Sequence, residues 1–151
     1  MTKFLLLNGP NLNFLEKRDS RQYGSHTLDQ IENDLRDFLM NHGLSLESKQ
    51  SNHEGELIDI LQQTSLDQEF AGVIFNPGAY THTSIALRDA IEAINLPVIE
   101  VHISNIHNRE SFRNQSYISA VASGQVVGFG VAGYQIAAYG LIQLMNEKGE
   151  R

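Results

Sequence analysis

Five short runs rich in Val, Ile, Leu or Phe punctuate the chain, at residues 4–8, 44–49, 72–76, 97–102 and 125–129, with gaps between them long enough to hold helices. Runs of this length and make-up read as strands. The gaps carry the spacing of amphipathic helices: Leu28/Ile31/Leu35/Phe38/Leu39, Leu57/Ile58/Leu61, and Ile85/Ala86/Asp89/Ala90/Ala93, with residues 133–145 closing the chain. Thr27 and Asp29 suit the start of the first helix, and Gly43 follows its end. Strand and helix alternate throughout, which predicts a parallel α/β sheet covered on both faces by right-handed crossovers. With 151 residues, 41% of them hydrophobic, and three prolines, the expectation is one domain over 1–151 around a single sheet.

In such a sheet a ligand sits outside the carboxyl ends of the strands, where strand order reverses. The segments after the first four strands, residues 8–13, 50–55, 76–84 and 102–105, are crowded with Asn, Gln, Ser, Thr and His. The formal charge of −7 argues against nucleic acid as a partner and requires a local cluster of positive groups to hold any anion. Without cysteine there is no disulfide framework, thiolate nucleophile or Cys-ligated metal. The six histidines include no helical His-x-x-x-His pair and join no compact acidic cluster, so no metal is expected. Lys3, Lys17, Lys49 and Lys148 lie at strand starts, in loops or at the tail, which disfavours a Schiff base. No apolar run approaches the roughly 20 residues that cross a bilayer, so no membrane partner and a cytoplasmic location are expected.

Several residues could carry chemistry. Glu100 and His102 end an apolar strand two residues apart, so their side chains share a face and the carboxylate can orient the imidazole as a general acid. Arg109 and Arg113 follow, four apart, and would share a face if the segment were helical. Residues 14–25 form a long polar stretch with Arg18, Arg21 and an isolated Tyr23, in the manner of an active-site lid. A phenol, with a reference pKa of about 10, needs about 3 units of depression to act as a base near neutrality, more than one cation usually supplies. Two arginines closing over Tyr23 would suffice. Residues 76–84 read as a strand end, a Pro-Gly turn and the first turn of a helix, with Thr81, Thr83 or Ser84 as cap and His82 beside Asn76. Gly128-Phe129-Gly130-Val131-Ala132-Gly133 matches a dinucleotide fingerprint, yet no later strand can complete the binding unit, and tight strand-to-helix packing explains the glycines better.

Gly9-Pro10-Asn11-Leu12-Asn13, Arg18 with Tyr23-Gly24, Asn76-Pro77-Gly78-Ala79-Tyr80-Thr81-His82-Thr83-Ser84, Ile99-Glu100-Val101-His102-Ile103-Ser104-Asn105 and Arg109-Glu110-x-Phe112-Arg113 together closely resemble type II 3-dehydroquinate dehydratase, in order and over nearly the whole chain. The resemblance implies a flavodoxin-like fold, a homododecamer built as a tetramer of trimers, and cofactor-free loss of water from 3-dehydroquinate to give 3-dehydroshikimate in the shikimate pathway. It implies that Tyr23 is the base at the carbon next to the ketone, and that Arg18 lowers its pKa. Asn11, with nearby backbone and a water, would hold the enolate oxygen. His102, oriented by Glu100, would protonate the departing hydroxyl, so that elimination is anti. Asn76, Ile103 and Ser104 would bind the substrate carboxylate, and His82 and Arg113 its ring hydroxyls. Arg109 would help the lid close, and Asp89 would reach into a neighbouring subunit's site. Two lid positions depart from the family habit: Glu16 replaces Gly and Ser20 replaces Pro, and Glu16 is placed to compete for Arg18. The alternatives are a flavodoxin-like module binding FMN or a phosphoryl group, and a lid-impaired homologue serving as a scaffold.

Overall fold

The computed structural model describes residues 1–149; residues 150 and 151 of the expected domain lie outside the described residues. Five parallel strands, β1 (Lys3–Asn8), β2 (Ser45–Gln50), β3 (Phe70–Asn76), β4 (Val98–His102) and β5 (Gly124–Val127), pair in the order β2-β1-β3-β4-β5. This is the strand order of flavodoxin-like sheets, with its reversal between β1 and β3. The carboxyl ends of β1, β3 and β4 therefore gather on one edge, where Asn8, Asn76 and His102 terminate their strands.

The apolar strand runs are continuous because both sides are buried. In β1, Phe4 and Leu6 pack with Ile31, Leu35 and Leu39 of α2 (Leu28–Met40) and Ala137, Ala138 and Leu141 of α5 (Ala132–Gly149). Leu5 and Leu7 face the other way, against Leu57 and Leu61 of α3 (Glu54–Leu66) and Leu87 and Ile91 of α4 (Ile85–Ala93). Alternation along one strand thus feeds two cores. Each fully buried Leu contributes on the order of 1.5–3 kcal/mol. Thr27 starts α2 in a reciprocal capping box with Gln30, and Gly43 supplies the positive φ, 73°, that lets the chain turn back after it.

Three local readings change. β5 stops at Val127 instead of reaching Phe129, because Gly128 (φ 90°) and Gly130 (φ 63°) leave the extended region. The fingerprint glycines are therefore explained mainly by left-handed backbone, and the expected strand-to-helix packing applies to Gly133, which lies against Val101 and Val126. Residues 76–84 do not lead straight into a helix: Gly78–His82 is a separate 3-10 turn, and Ser84 caps α4 by accepting the Leu87 N–H at 2.9 Å. Residues 14–25 are not an irregular stretch but a 3-10 segment, Leu12–Lys17, followed by the short helix α1 (Ser20–Tyr23), whose first turn Asp19 caps. No helix among the described residues is long and apolar enough to cross a membrane.

Candidate active site

At the sheet edge, between the ends of β3 and β4 and beneath the segment carrying Arg18 and Tyr23, a small pocket collects Asn76, His82, His102, Ile103, Ser104, Arg109 and Arg113. Its enclosed volume is about 30 Å³, room for no more than a water or two. A wider groove of about 620 Å³ runs past Ile94, Leu96, Val121 and Leu144, shares no lining residue with this pocket, and lacks a comparable cluster of titratable side chains.

Strand alternation places Glu100 and His102 on one face, and His102 Nε2 meets Glu100 Oε2 at 2.6 Å. Glu100 is fully buried and has no Lys or Arg partner among the described residues; donors satisfy it instead. Thr81 donates its hydroxyl to Oε2, and Gln125 Nε2 donates to Oε1 at 3.1 Å. Ser116 Oγ, which accepts the N–H groups of Ile118 and Ser119, sits 2.9 and 3.1 Å from the two carboxylate oxygens and donates its O–H to them. Burial opposes ionisation most strongly, but the hydrogen bonds and charge of His102, with Thr81 and Ser116, outweigh it, and the carboxyl is held below its ordinary value. With Nε2 committed to Glu100, Nδ1 of His102 is the nitrogen left for a ligand.

A pH dependence follows. A carboxyl whose folded pKa lies below its unfolded value of 4.5 contributes stability that is present above that pH and lost as pH falls through the depressed value. Acid denaturation should therefore steepen below about pH 4.5, and Glu100→Gln should flatten that limb; an unchanged limb in urea titrations across pH would remove Glu100 from the account. His82 acts in the same sense from higher pH, since burial first, then the charges of His102 and Arg113, depress it below 6.5. Its Nδ1 donates to the Gln115 carbonyl at 2.7 Å, which leaves Nε2 as an acceptor, and its ring stacks with that of His102 at 6.4 Å between centroids.

Tyr23 is almost fully buried, and its oxygen accepts from Arg18 Nη2 at 2.5 Å and Arg109 Nη1 at 2.6 Å. The Arg18 guanidinium also stacks on the ring, 3.7 Å from its centroid. Two arginines do close over the phenol, but the second is Arg109, not Arg21. Arg21 pairs with Asp19 at 3.1 Å and is exposed, because Asp19 two residues earlier offers it a local partner. Arg109 also donates to Ser104 Oγ at 3.1 Å, which leaves the Ser104 proton for a ligand. Arg109 and Arg113 do not share a helix face: Arg109 is extended between the turns Ile106–Asn108 and Ser111–Arg113, though both line the pocket. Burial, then repulsion from Arg109 and Arg113, pushes the Arg18 guanidinium down, while Tyr23 pulls the other way. Three guanidiniums around one small space make a positive well in an acidic protein, suited to a carboxylate.

The remaining expected residues divide. Asn76 is buried in the pocket wall, its Oδ1 accepting the Gly78 N–H at 3.1 Å. Asn11 is exposed and outside the pocket lining, held at a left-handed φ of 70° with its N–H given to Asn52 Oδ1. Asp89 is exposed on α4, away from this chain's own pocket. Glu16 is exposed and makes no salt bridge among the described residues, so Arg18 stays with Tyr23; Ser20 begins α1. The sequence reading missed Ser116, Gln125 and Tyr134 and saw Thr81 only as a cap. One signal was available: a carboxylate in an apolar strand demands donors, and Gln125 is a polar residue on the strand alongside. Among the described residues no group of three or more His, Cys, Asp or Glu is placed to hold a metal ion.

Residues 2–142 match the family model described as dehydroquinase class II. The chain is 52% identical over 147 residues to the 3-dehydroquinate dehydratase of Bacillus cytotoxicus, covering 97% of this chain and 99% of that protein. It is 51% identical over 145 residues to that of Helicobacter hepaticus, covering 96% and 91%. Among solved structures, it superposes on the type II dehydroquinase from Butyrivibrio crossotus with a TM-score of 0.89 at 41% identity, covering 96% and 97% of the two chains. The type II dehydroquinase from Propionibacterium acnes gives 0.88 at 37%, covering 97% of each.

Proposed function

The chain belongs to the class II dehydroquinases, and we propose how its pocket performs their reaction. It is a hydro-lyase that converts 3-dehydroquinate to 3-dehydroshikimate and water in the shikimate pathway. The observation that carries the mechanism is the pairing in one pocket of a tyrosine oxygen under two guanidiniums with a histidine held by a buried carboxylate.

The carboxylate of the substrate accepts hydrogen bonds from the Ser104 hydroxyl, an Asn76 amide N–H and backbone at Ile103, within the positive field of the arginines. His82 Nε2 and Arg113 hold ring hydroxyls. Arg18 and Arg109 aim N–H groups at the oxygen of Tyr23, which takes the proton from the carbon beside the ketone; the C–H electrons move into an enolate, whose oxygen falls to Asn11, a residue outside the pocket lining of this structure. The strained φ of Asn11 is of the kind kept at working positions. The enolate then expels the neighbouring hydroxyl, which leaves as water with the proton from His102. Tyr23 ends protonated and His102 deprotonated, and transfer back resets the site. No cofactor enters the scheme. The whole of 1–151 acts as one catalytic domain, and residues 14–25 act as its lid: with so little enclosed space, this segment has to swing out for a ring-sized acid to enter.

Asp89, exposed on α4, is read as completing a neighbour's site in a homododecamer arranged as a tetramer of trimers; sedimentation at the mass of a single chain would contradict this. A cytoplasmic location goes with the biosynthetic role. The scaffold alternative is not favoured, since Arg18 keeps Tyr23 and is not diverted to Glu16.

The guanidinium pairing gives a contrast. Arg109→Ala should lower kcat by about 10- to 100-fold, the effect of one charged hydrogen bond to the base. Arg21→Ala should stay within about twofold, as exposed pairs with Asp contribute little. Equal losses in the two variants would break the assignment. The reaction itself is tested by ultraviolet absorbance of the conjugated enone formed from 3-dehydroquinate, with chelator present and after borohydride treatment in the presence of 3-dehydroquinate. A rise insensitive to both supports the scheme; loss of signal after borohydride would indicate a Schiff base.

A further inference from the structure

Tyr134 lies in none of the motifs that carry the family resemblance, yet its hydroxyl joins two strand ends. It is 1% exposed, near the start of α5, and its oxygen reaches Asn8 at the end of β1 and Asn76 at the end of β3. We infer that Tyr134 is a positioning residue for substrate binding, which locks the amide of Asn76 so that its free N–H faces the pocket. The inference rests on the reading of Asn76 as a ligand for the substrate carboxylate.

The polarity of the chain of bonds can be deduced. The Gly78 backbone N–H can only donate, so the Asn76 atom 3.1 Å from it is the carbonyl oxygen, and the other end is the NH2 group. One proton of that group goes to Tyr134 Oη at 3.0 Å. The phenol has then accepted, and its own proton goes to Asn8 Oδ1 at 2.7 Å. Asn8 keeps its carbonyl turned to Tyr134 even though its Nδ2 is buried with no partner among the described residues, a cost that a site tolerates when the orientation matters. Burial pushes the Tyr134 hydroxyl well above the ordinary phenol value, so it stays protonated and the direction of the relay cannot reverse. One N–H of Asn76, a residue that lines the pocket, remains without a partner among the described residues and can serve only an acceptor. The relay thus presents a donor at that spot, which a ligand acceptor such as a carboxylate oxygen can use.

Tyr134→Phe keeps the ring in the core and deletes only the relay. Freed from Tyr134, the Asn76 amide loses one of its two restraints, and KM for 3-dehydroquinate should rise about tenfold with kcat within about twofold, the mark of uniform binding lost. In an Asn76→Ala background, which itself raises KM, the same change should add nothing, because both act through one contact. Asn8→Ala, which leaves Tyr134 and Asn76 in place and frees only the phenol proton, should raise KM in the same direction by less, and keeps the test open if Tyr134→Phe folds poorly. KM unchanged in Tyr134→Phe or Asn8→Ala, a fall in kcat at constant KM, or KM effects of Tyr134→Phe and Asn76→Ala that multiply would overturn the positioning role and leave Tyr134 as a core residue. If Asn76→Ala leaves KM unmoved, the reading of Asn76 fails and takes the relay with it.

Discussion

Tyr23→Phe should reduce kcat by about a thousandfold while KM changes by no more than a few-fold, because the substitution removes the atom assigned to take the substrate proton and little else. The ring of Tyr23 belongs to the core cluster that includes Leu12, Leu15 and Ile103, and phenylalanine fills the same space. Arg18 can still stack on it, since that contact, 3.7 Å to the centroid, involves the ring face and not the oxygen. What disappears is the oxygen that accepts from Arg18 and Arg109. Substrate contacts assigned to Asn76, His82, Ser104 and Arg113 are untouched, which is why binding should persist. A Phe variant with near-normal turnover would remove Tyr23 from the mechanism, and one with an equally large rise in KM would make it a binding residue.

His102→Ala should cost turnover about 100-fold or more, the usual worth of a general acid. Only one ring nitrogen is in play, because Nε2 is held by Glu100 at 2.6 Å. Removal of the imidazole leaves Glu100 buried but still served by Thr81, Ser116 and Gln125, so the fold should survive the change. The companion Glu100→Gln separates orientation from proton supply. It keeps His102 but exchanges an acceptor that fixes the ring for an amide that competes with Thr81 and Ser116, and its kcat should fall between the parent and His102→Ala. If Glu100→Gln were as active as the parent, the carboxylate would be structural and the pairing with His102 incidental.

How legible these groups were depends on the distance over which each contact is made. Glu100 and His102 were readable because an i, i+2 relation in a strand is enough to put them side by side. The five strands were readable because burial on both faces, as in Phe4 to Leu7, leaves uninterrupted apolar runs. Local rules also located the α2 cap at Thr27. The arginine on Tyr23 was another matter: Arg21 is near in sequence, but Asp19 captures it, and Arg109 arrives from 86 residues away through the turn after β4. The donors of Glu100 come from three separate segments, and Tyr134 meets Asn8 across 126 residues, so only the assembled sheet reveals either. The helical turns within 12–23 escaped notice because a 3-10 segment and a four-residue helix are too short to show a period.

The roles given to Tyr23 and His102 require that proton and hydroxyl leave from opposite faces of the substrate ring. The direct test is turnover of 3-dehydroquinate carrying deuterium at the position anti to the departing hydroxyl, with the isotope content of the 3-dehydroshikimate read by mass spectrometry. The mechanism predicts product without deuterium and a slowed reaction wherever proton removal limits the rate. Product that retains the label would mean syn elimination, and Tyr23 and His102 could not then be the base and acid of this enzyme.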